Sequence, residues 1–147
     1  MQAGNVLMVC LGNICRSPLA QGVFEQLAKD YSITVDSAGT ANYHSGALPD
    51  KRSQLIAKRH GIDISSQRAR QFTIADFDGF DYIYVMDRSN LSKVLSLAPN
   101  EHDRAKVALL LGEHEVEDPY YGGDDGFEIV FQKIDAACRE IIAQWKN

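Results

Sequence analysis

The sequence predicts an α/β fold: a parallel sheet with helices on both faces. Two observations lead there. Apolar runs of strand length alternate with segments whose apolar residues recur at helical spacing. The first run, Asn5 to Cys10 (NVLMVC), is nearly continuous in apolar character, as a strand covered on both faces should be. At 147 residues, 45% of them hydrophobic, the chain is most simply one domain, long enough to bury a real core.

The elements follow in order. After the first strand, Ser17-Pro18 reads as an N-cap followed by proline at the first helical position, with Leu19, Val23, Phe24 and Leu27 at helical spacing. Ile33 to Ser37 (ITVDS) reads as a second strand that ends at Ala38-Gly39, and residues 40 to 49 as loop. A helix is expected from Asp50 through His60, with Gly61 as its stop. A shorter helical piece follows Thr73. Tyr82 to Met86 is the third strand, Ser89 to Leu97 the next helix, and Lys106 to Leu111 the fourth strand. Beyond the loop Glu117 to Gly126, a last helix runs to about Lys146, with Asp124-Asp125 placed at its negative-charge-favouring start. Its apolar stripe is Phe127, Val130, Phe131, Ile134, Ala137, Cys138, Ile141 and Trp145, which makes Cys138 a core residue.

Composition narrows the function. A formal net charge of -5 argues against a general nucleic-acid binder. No apolar stretch reaches the length of a membrane span, and the N-terminus lacks a signal-peptide pattern. Three cysteines, two of them in one short loop, fit a reducing compartment. The expectation is a soluble, cytoplasmic, monomeric protein. Four dispersed histidines, His44, His60, His102 and His114, show no metal-ligand spacing, so surface or capping places are expected for them and no metal or cofactor. His60 suits a helix C-terminus.

Right-handed crossovers put all strand C-termini on one edge of a parallel sheet, where ligands bind. Cys10 ends the first strand, Asp87 follows the third, and Asp118 lies in the loop after the fourth. The loop Leu11 to Arg16 delivers free backbone amides and a helix N-terminus, a ready anion site. Gly12 lets that backbone curl. Arg16 adds a planar fork suited to phosphate oxygens, and Ser17 is placed to donate its hydroxyl to the sulfur. Such a positive environment favours the thiolate form of cysteine, the nucleophilic one. Residue type alone leaves both Asp87 and Asp118 open as proton donors. Asp87 also reads as the cap of the helix near Ser89, whereas Asp118 precedes Pro119, which biases it to an extended conformation.

The stretch "VCLGNICRSPLA" resembles the signature V-C-x-G-N-x-C-R-S-P of the low-molecular-weight protein tyrosine phosphatases. "DSAGT" at Asp36 to Thr40, "VMDRSN" at Val85 to Asn90 and "EDPYYGG" at Glu117 to Gly123 match that family in order and spacing, so the similarity covers nearly the whole chain. The resemblance implies a doubly wound fold with a four-stranded parallel sheet in the order 2-1-3-4. It implies that Cys10 attacks phosphorus and forms a phosphocysteine, and that Arg16 with the loop residues Leu11, Gly12, Asn13, Ile14 and Cys15 holds the phosphoryl oxygens. Asp118, rather than Asp87, is then the general acid and later the base. Asn13 props the loop, Ser17 favours the thiolate, and Cys15 is the disulfide partner of the nucleophile. Tyr120 and Tyr121 stand where the family carries its pocket-wall aromatics. Tyr43, in the loop after the second strand, is a further wall candidate on the same rim. The implied partners are phosphotyrosine-containing proteins, with small aryl phosphates as surrogates in vitro.

Three rivals share features of this reading. An arsenate reductase of the same fold has the C-x5-R loop but needs further cysteines to relay a disulfide, and outside the loop only Cys138 remains. A protein-arginine phosphatase carries Thr where this chain has Ile14. A phosphotyrosine-binding module without turnover loses the nucleophile or the acid, and both are present here.

Overall fold

The computed structural model describes residues 1–119 and 124–145. The elements run β1 (Val6–Cys10), α1 (Arg16–Leu27), β2 (Val35–Gly39), α2 (Lys51–Arg59), α3 (Asp76–Gly79), β3 (Tyr82–Val85), α4 (Arg88–Leu97), α5 (Glu101–Arg104), β4 (Val107–Leu109) and α6 (Asp124–Ala143). The strands form one parallel sheet in the order β2-β1-β3-β4, the doubly wound arrangement expected.

All five residues of β1 are buried because the strand is covered on both faces. Its side chains alternate: Val6, Met8 and Cys10 enter one core with Leu19, Phe24, Phe131 and Ile134 from α1 and α6. Leu7 and Val9 enter the other with Phe77, Ile83 and Val94. Fully burying each such aliphatic or aromatic side chain contributes about 1.5–3 kcal/mol. Trp145 closes the first core, meeting the ring edges of Phe24 at 5.4 Å and Tyr31 at 5.1 Å between centroids. Cys138 lies fully buried in the same core, as its place on the stripe predicts.

Several boundaries differ from the sequence expectation, each for a local reason. β2 starts and ends two residues later, at Val35 and Gly39, because its partner β1 continues to Cys10 and the register pairs Cys10 with Gly39. α1 begins at Arg16 with Cys15 in the cap position, so Ser17 and Pro18 lie inside its first turn. The Ser17 hydroxyl is not a cap because it faces Cys10 and Asn13. β3 and β4 are shorter than expected, and Gly112, at φ 78°, turns the chain away soon after β4. α5 was not foreseen; Asn100 caps it by accepting from the Asp103 amide at 2.9 Å. α6 ends at Ala143 rather than Lys146. The α2 reading stands: Asp50 caps it, His60 closes it, and Gly61 takes φ 79°.

The site is placed by the sheet order. The chain crosses from β1 to β2 on one side and continues through β3 to β4 on the other, so a crevice opens at the C-terminal ends of β1 and β3. Cys10 ends β1 and Asp87 follows β3 across that crevice. Among the described residues no helix is long and apolar enough to cross a membrane.

Candidate active site

Between β1 and α1 the chain curls into a loop whose start is held by backbone bonds to its neighbours. Thr40 N–H donates to the Cys10 carbonyl at 2.9 Å, Ala41 N–H to Leu11 at 3.0 Å, and Asp50 N–H to Ile14 at 2.8 Å. With these carbonyls tied outward, the loop and the first turn of α1 form the wall of a cup, and the helix N-terminus makes it favourable to an anion.

Asn13 sets the curl. It is buried, with φ 58°, a left-handed conformation that asparagine tolerates better than most residues. Its side-chain amide donates to Ser17 Oγ at 2.8 Å and Ser37 Oγ at 2.9 Å, and its carbonyl oxygen accepts from the Arg70 backbone at 3.0 Å. Gly39 makes room for this: a Cβ there would lie 2.7 Å from the Leu11 carbonyl oxygen and 3.1 Å from the Asn13 nitrogen. Arg70 in turn is clamped to Asp36 and to Asp76, the latter through both carboxylate oxygens at 3.0 and 3.1 Å. The buried left-handed turn is therefore tied to β2 and α3 by a continuous polar chain.

The Cys10 sulfur lies 3.0 Å from Ser17 Oγ. Because Ser17 Oγ already accepts from Asn13, its own proton is the one directed at the sulfur, which suits a thiolate acceptor. Arg16 is 2% exposed, an unusual burial for a cation. Its Nη1 donates to Asp87 Oδ2 and to the Val116 carbonyl, both at 2.8 Å, while Nη2 faces Asp118 Oδ2 at 3.8 Å. Burial opposes the charge, but attraction to the Cys10 sulfur and to Asp87 and Asp118 outweighs it and holds the Arg16 pKa above its ordinary value. Asp87 splits its oxygens: Oδ1 caps α4 by accepting from Asn90 N–H at 2.8 Å, and Oδ2 orients Arg16.

Cys10, Leu11, Gly12, Ile14, Cys15, Arg16 and Asp118 line one cavity of about 80 Å³. Tyr43 and His44 complete its rim. Tyr43 stands 74% exposed, available as a wall for whatever projects from the cup. Cys15 is buried beside Cys10; burial first, then the Asp50, Cys10 and Asp118 charges, push its thiol up to about 12. Asn13 and Ser17 support the cup from behind. The wall candidates Tyr120 and Tyr121 lie outside the described residues.

Four contributors were missed from sequence. His44 was read as a surface or capping residue, yet it lines the cup, and the missing Cβ of Gly12 gives its ring space, since a Cβ would fall 2.9 Å from His44 Cδ2. Ser37 and Gly39 carry no local signal for their role beyond sharing a motif with Asp36, and Arg70 carries none. Asp87 was read as cap or acid; it is the cap and also the partner of Arg16.

A family model described as low molecular weight phosphotyrosine protein phosphatase matches residues 5–147. The human low molecular weight phosphotyrosine protein phosphatase is 46% identical over 149 aligned positions, covering 94% of this chain and 93% of its own. A protein tyrosine phosphatase from Entamoeba histolytica, crystallised with Hepes in its active site, superposes with a TM-score of 0.90 at 35% identity, covering 97% of this chain and 96% of that one. A Drosophila arginine phosphatase reaches the same TM-score at 32% identity, covering 97% and 98%. The chain belongs to the low molecular weight phosphotyrosine protein phosphatases, which are cysteine-dependent hydrolases.

Proposed function

We propose that this chain hydrolyses phosphotyrosine in proteins, and aryl phosphates generally, through a phosphocysteine on Cys10, with Asp118 as general acid and then general base. The observation that carries this is the meeting of the Cys10 sulfur, the Arg16 guanidinium and the Asp118 carboxyl on one small cup at the end of β1. Residues 1–147 act as one catalytic domain.

The phosphoryl group enters with its oxygens toward the loop amides and the Arg16 fork, which leaves phosphorus above the sulfur. Cys10 attacks in line as the phenolate oxygen leaves, and Asp118, in its protonated form, gives that oxygen its proton. The resulting carboxylate then takes a proton from water, which attacks the phosphocysteine and releases phosphate. Arg16 is kept in place throughout by Asp87 and the Val116 carbonyl. Leu11, Ile14 and Tyr43 give the mouth an apolar lip that suits a phenyl ring.

Asp118→Ala is expected to lower kcat by roughly 10²–10³-fold for phenyl phosphate, and far less for p-nitrophenyl phosphate, whose leaving group needs little protonation. Steady-state kinetics on a series of aryl phosphates reads this directly. An equal loss across leaving groups would remove Asp118 as the acid. The arginine-phosphatase reading is tested alongside: a peptide with phosphotyrosine should be turned over faster than its phosphoarginine counterpart, and the reverse preference overturns the aryl assignment.

Cys15 serves as the redox partner. Peroxide converts the Cys10 thiolate to a sulfenic acid; the Cys15 thiolate then attacks that sulfur, the S–O bond breaks, and water leaves after protonation. With its thiol pushed up to about 12, Cys15 is a thiol at neutral pH. The condensation step should therefore accelerate roughly tenfold per pH unit between pH 7 and 9. Rapid quenching of the preformed sulfenic acid with mass analysis measures it, and a flat profile would exclude Cys15 as the attacking group.

A further inference from the structure

Helix α2 is charged in a way the rest of the chain is not. The protein has a net charge of -5, yet Lys51 to Arg59 (KRSQLIAKR) holds four cations and no carboxylate. Two of these are occupied or turned elsewhere: Arg52 pairs with Asp50 and lies over the Phe127 ring at 4.7 Å, and Arg59 falls off the line formed by the others. Lys51, Leu55 and Lys58 sit at i, i+4 and i+7, which puts them on one face of the helix. Leu55 is 63% exposed, a large apolar side chain with no core to enter. The three line a hollow of about 640 Å³ between α2 and the segment 61–65, whose one carboxylate is Asp63.

The helix that carries this face starts at the catalytic loop. The amide of Asp50, the residue before Lys51, donates to the Ile14 carbonyl at 2.8 Å, and Ile14 lines the cup. In the segment that joins Tyr43 to α2, Leu48 is also exposed, at 50%. Of the three, Lys51 lies at the end of α2 tied to the loop, with Leu55 and Lys58 following along the helix away from it. None of these residues has a task in the chemistry at Cys10.

We propose that the Lys51–Leu55–Lys58 face is a docking surface for the phosphoprotein substrate, and that it takes an acidic segment with one apolar side chain between its carboxylates. Seven residues of helix rise about 10 Å, which about three residues of extended peptide span. The fitting segment therefore has two carboxylates three positions apart flanking an apolar residue. This rests on the phosphatase reading above and names the class of substrate that site receives. The two lysines supply attraction and register, and Leu55 supplies apolar contact. The surface acts on binding and leaves the bond-breaking step alone.

The test uses the full chain and three substrates: p-nitrophenyl phosphate, a phosphotyrosine peptide carrying Glu-Leu-Ala-Glu on either flank, and the same peptide with both glutamates replaced by glutamine. Wild type should favour the acidic peptide on at least one flank, through KM, by roughly three- to tenfold, as two exposed ion pairs allow. The preference should shrink between 20 and 300 mM salt. K51E/K58E should abolish or reverse it with kcat for p-nitrophenyl phosphate unchanged, and L55S should weaken binding of both peptides alike. A wild type indifferent to the glutamates, or a K51E/K58E variant that retains the preference, overturns the docking surface while leaving the active-site reading intact. A wild type inert toward p-nitrophenyl phosphate overturns that underlying reading instead.

Discussion

Replacing Cys10 with serine is expected to reduce turnover of p-nitrophenyl phosphate by about 10⁴-fold or more while phosphate binding is kept. The two side chains differ by one atom, and Cys10 ends a fully buried strand, so the loop has no reason to move. What changes is the nucleophile. A serine hydroxyl does not ionise near neutral pH, and among the described residues no imidazole is hydrogen-bonded to Cys10 to take its proton; the group at 3.0 Å is Ser17, a donor. The anion site, made of loop amides and Arg16, remains. It should hold phosphate at least as well as before, because the substitution removes none of those donors. Initial rates and calorimetric titration with inorganic phosphate check both halves. Retention of more than about a hundredth of the activity would mean that water, not residue 10, attacks phosphorus, and the phosphocysteine would have to be abandoned. Loss of phosphate affinity together with activity would instead indicate that the loop had collapsed, a distinction that the thermal midpoint of the same variant resolves.

The parts of the fold legible in the sequence are those whose signal is repeated over many residues. β1 was readable because two-sided burial demands an unbroken apolar run, and α6 because its stripe holds over five turns. α2 was readable at both ends, since Asp50 and Gly61 each do the local job that their residue type predicts. Ala38-Gly39 was not readable as strand: neither residue favours extended structure, and what extends them is pairing with β1 together with the Gly39 amide donating to Arg70 and the Phe72 amide donating to Gly39. α5, four residues long, is below the length at which any period can be seen.

The site divides along the same line. Cys10, Arg16 and Asp118 stand out in the sequence because their motifs are contiguous, and the sheet order explains why these motifs, distant in sequence, line one cavity. Ser-Pro, by contrast, is one signal with two meanings. It marks a helix start, and here it also supplies the hydroxyl that turns to the sulfur, so the cap reading failed by the very interaction that makes Ser17 useful. The support behind Asn13 was invisible for a different reason. Arg70 holds it through a backbone amide, a group every residue has, and its side chain is spent on Asp36 and Asp76 to fix where that amide lies. Only the folded chain reveals such a role.

Arg16→Lys is expected to cost about 10³-fold in kcat/KM with a small change in thermal stability. Arg16 does two things at once with different nitrogens: Nη1 is committed to Asp87 and the Val116 carbonyl, and Nη2 is turned toward Asp118 at the cup. A lysine has one nitrogen. Placed in the same buried position, its ammonium keeps the charge that Asp87 requires, so the carboxylate is not left unpaired and the several kcal/mol lost on deleting one partner of a buried pair are largely avoided. The same ammonium then cannot also present two parallel donors to the equatorial oxygens of the phosphoryl group. Alanine at this position removes the charge as well, and should add a clear fall in thermal midpoint to the kinetic loss. The comparison of lysine with alanine therefore separates fork geometry from charge. If the lysine variant stays within tenfold of wild type, the fork is not what holds the transition state, and the burden falls on the loop amides alone. If it is inactive because it unfolds, Arg16 is chiefly the strut that joins α1 to Asp87 and the Val116 carbonyl. The geometry favours neither outcome: a strut needs only Nη1, and Nη2 is aimed at the cup.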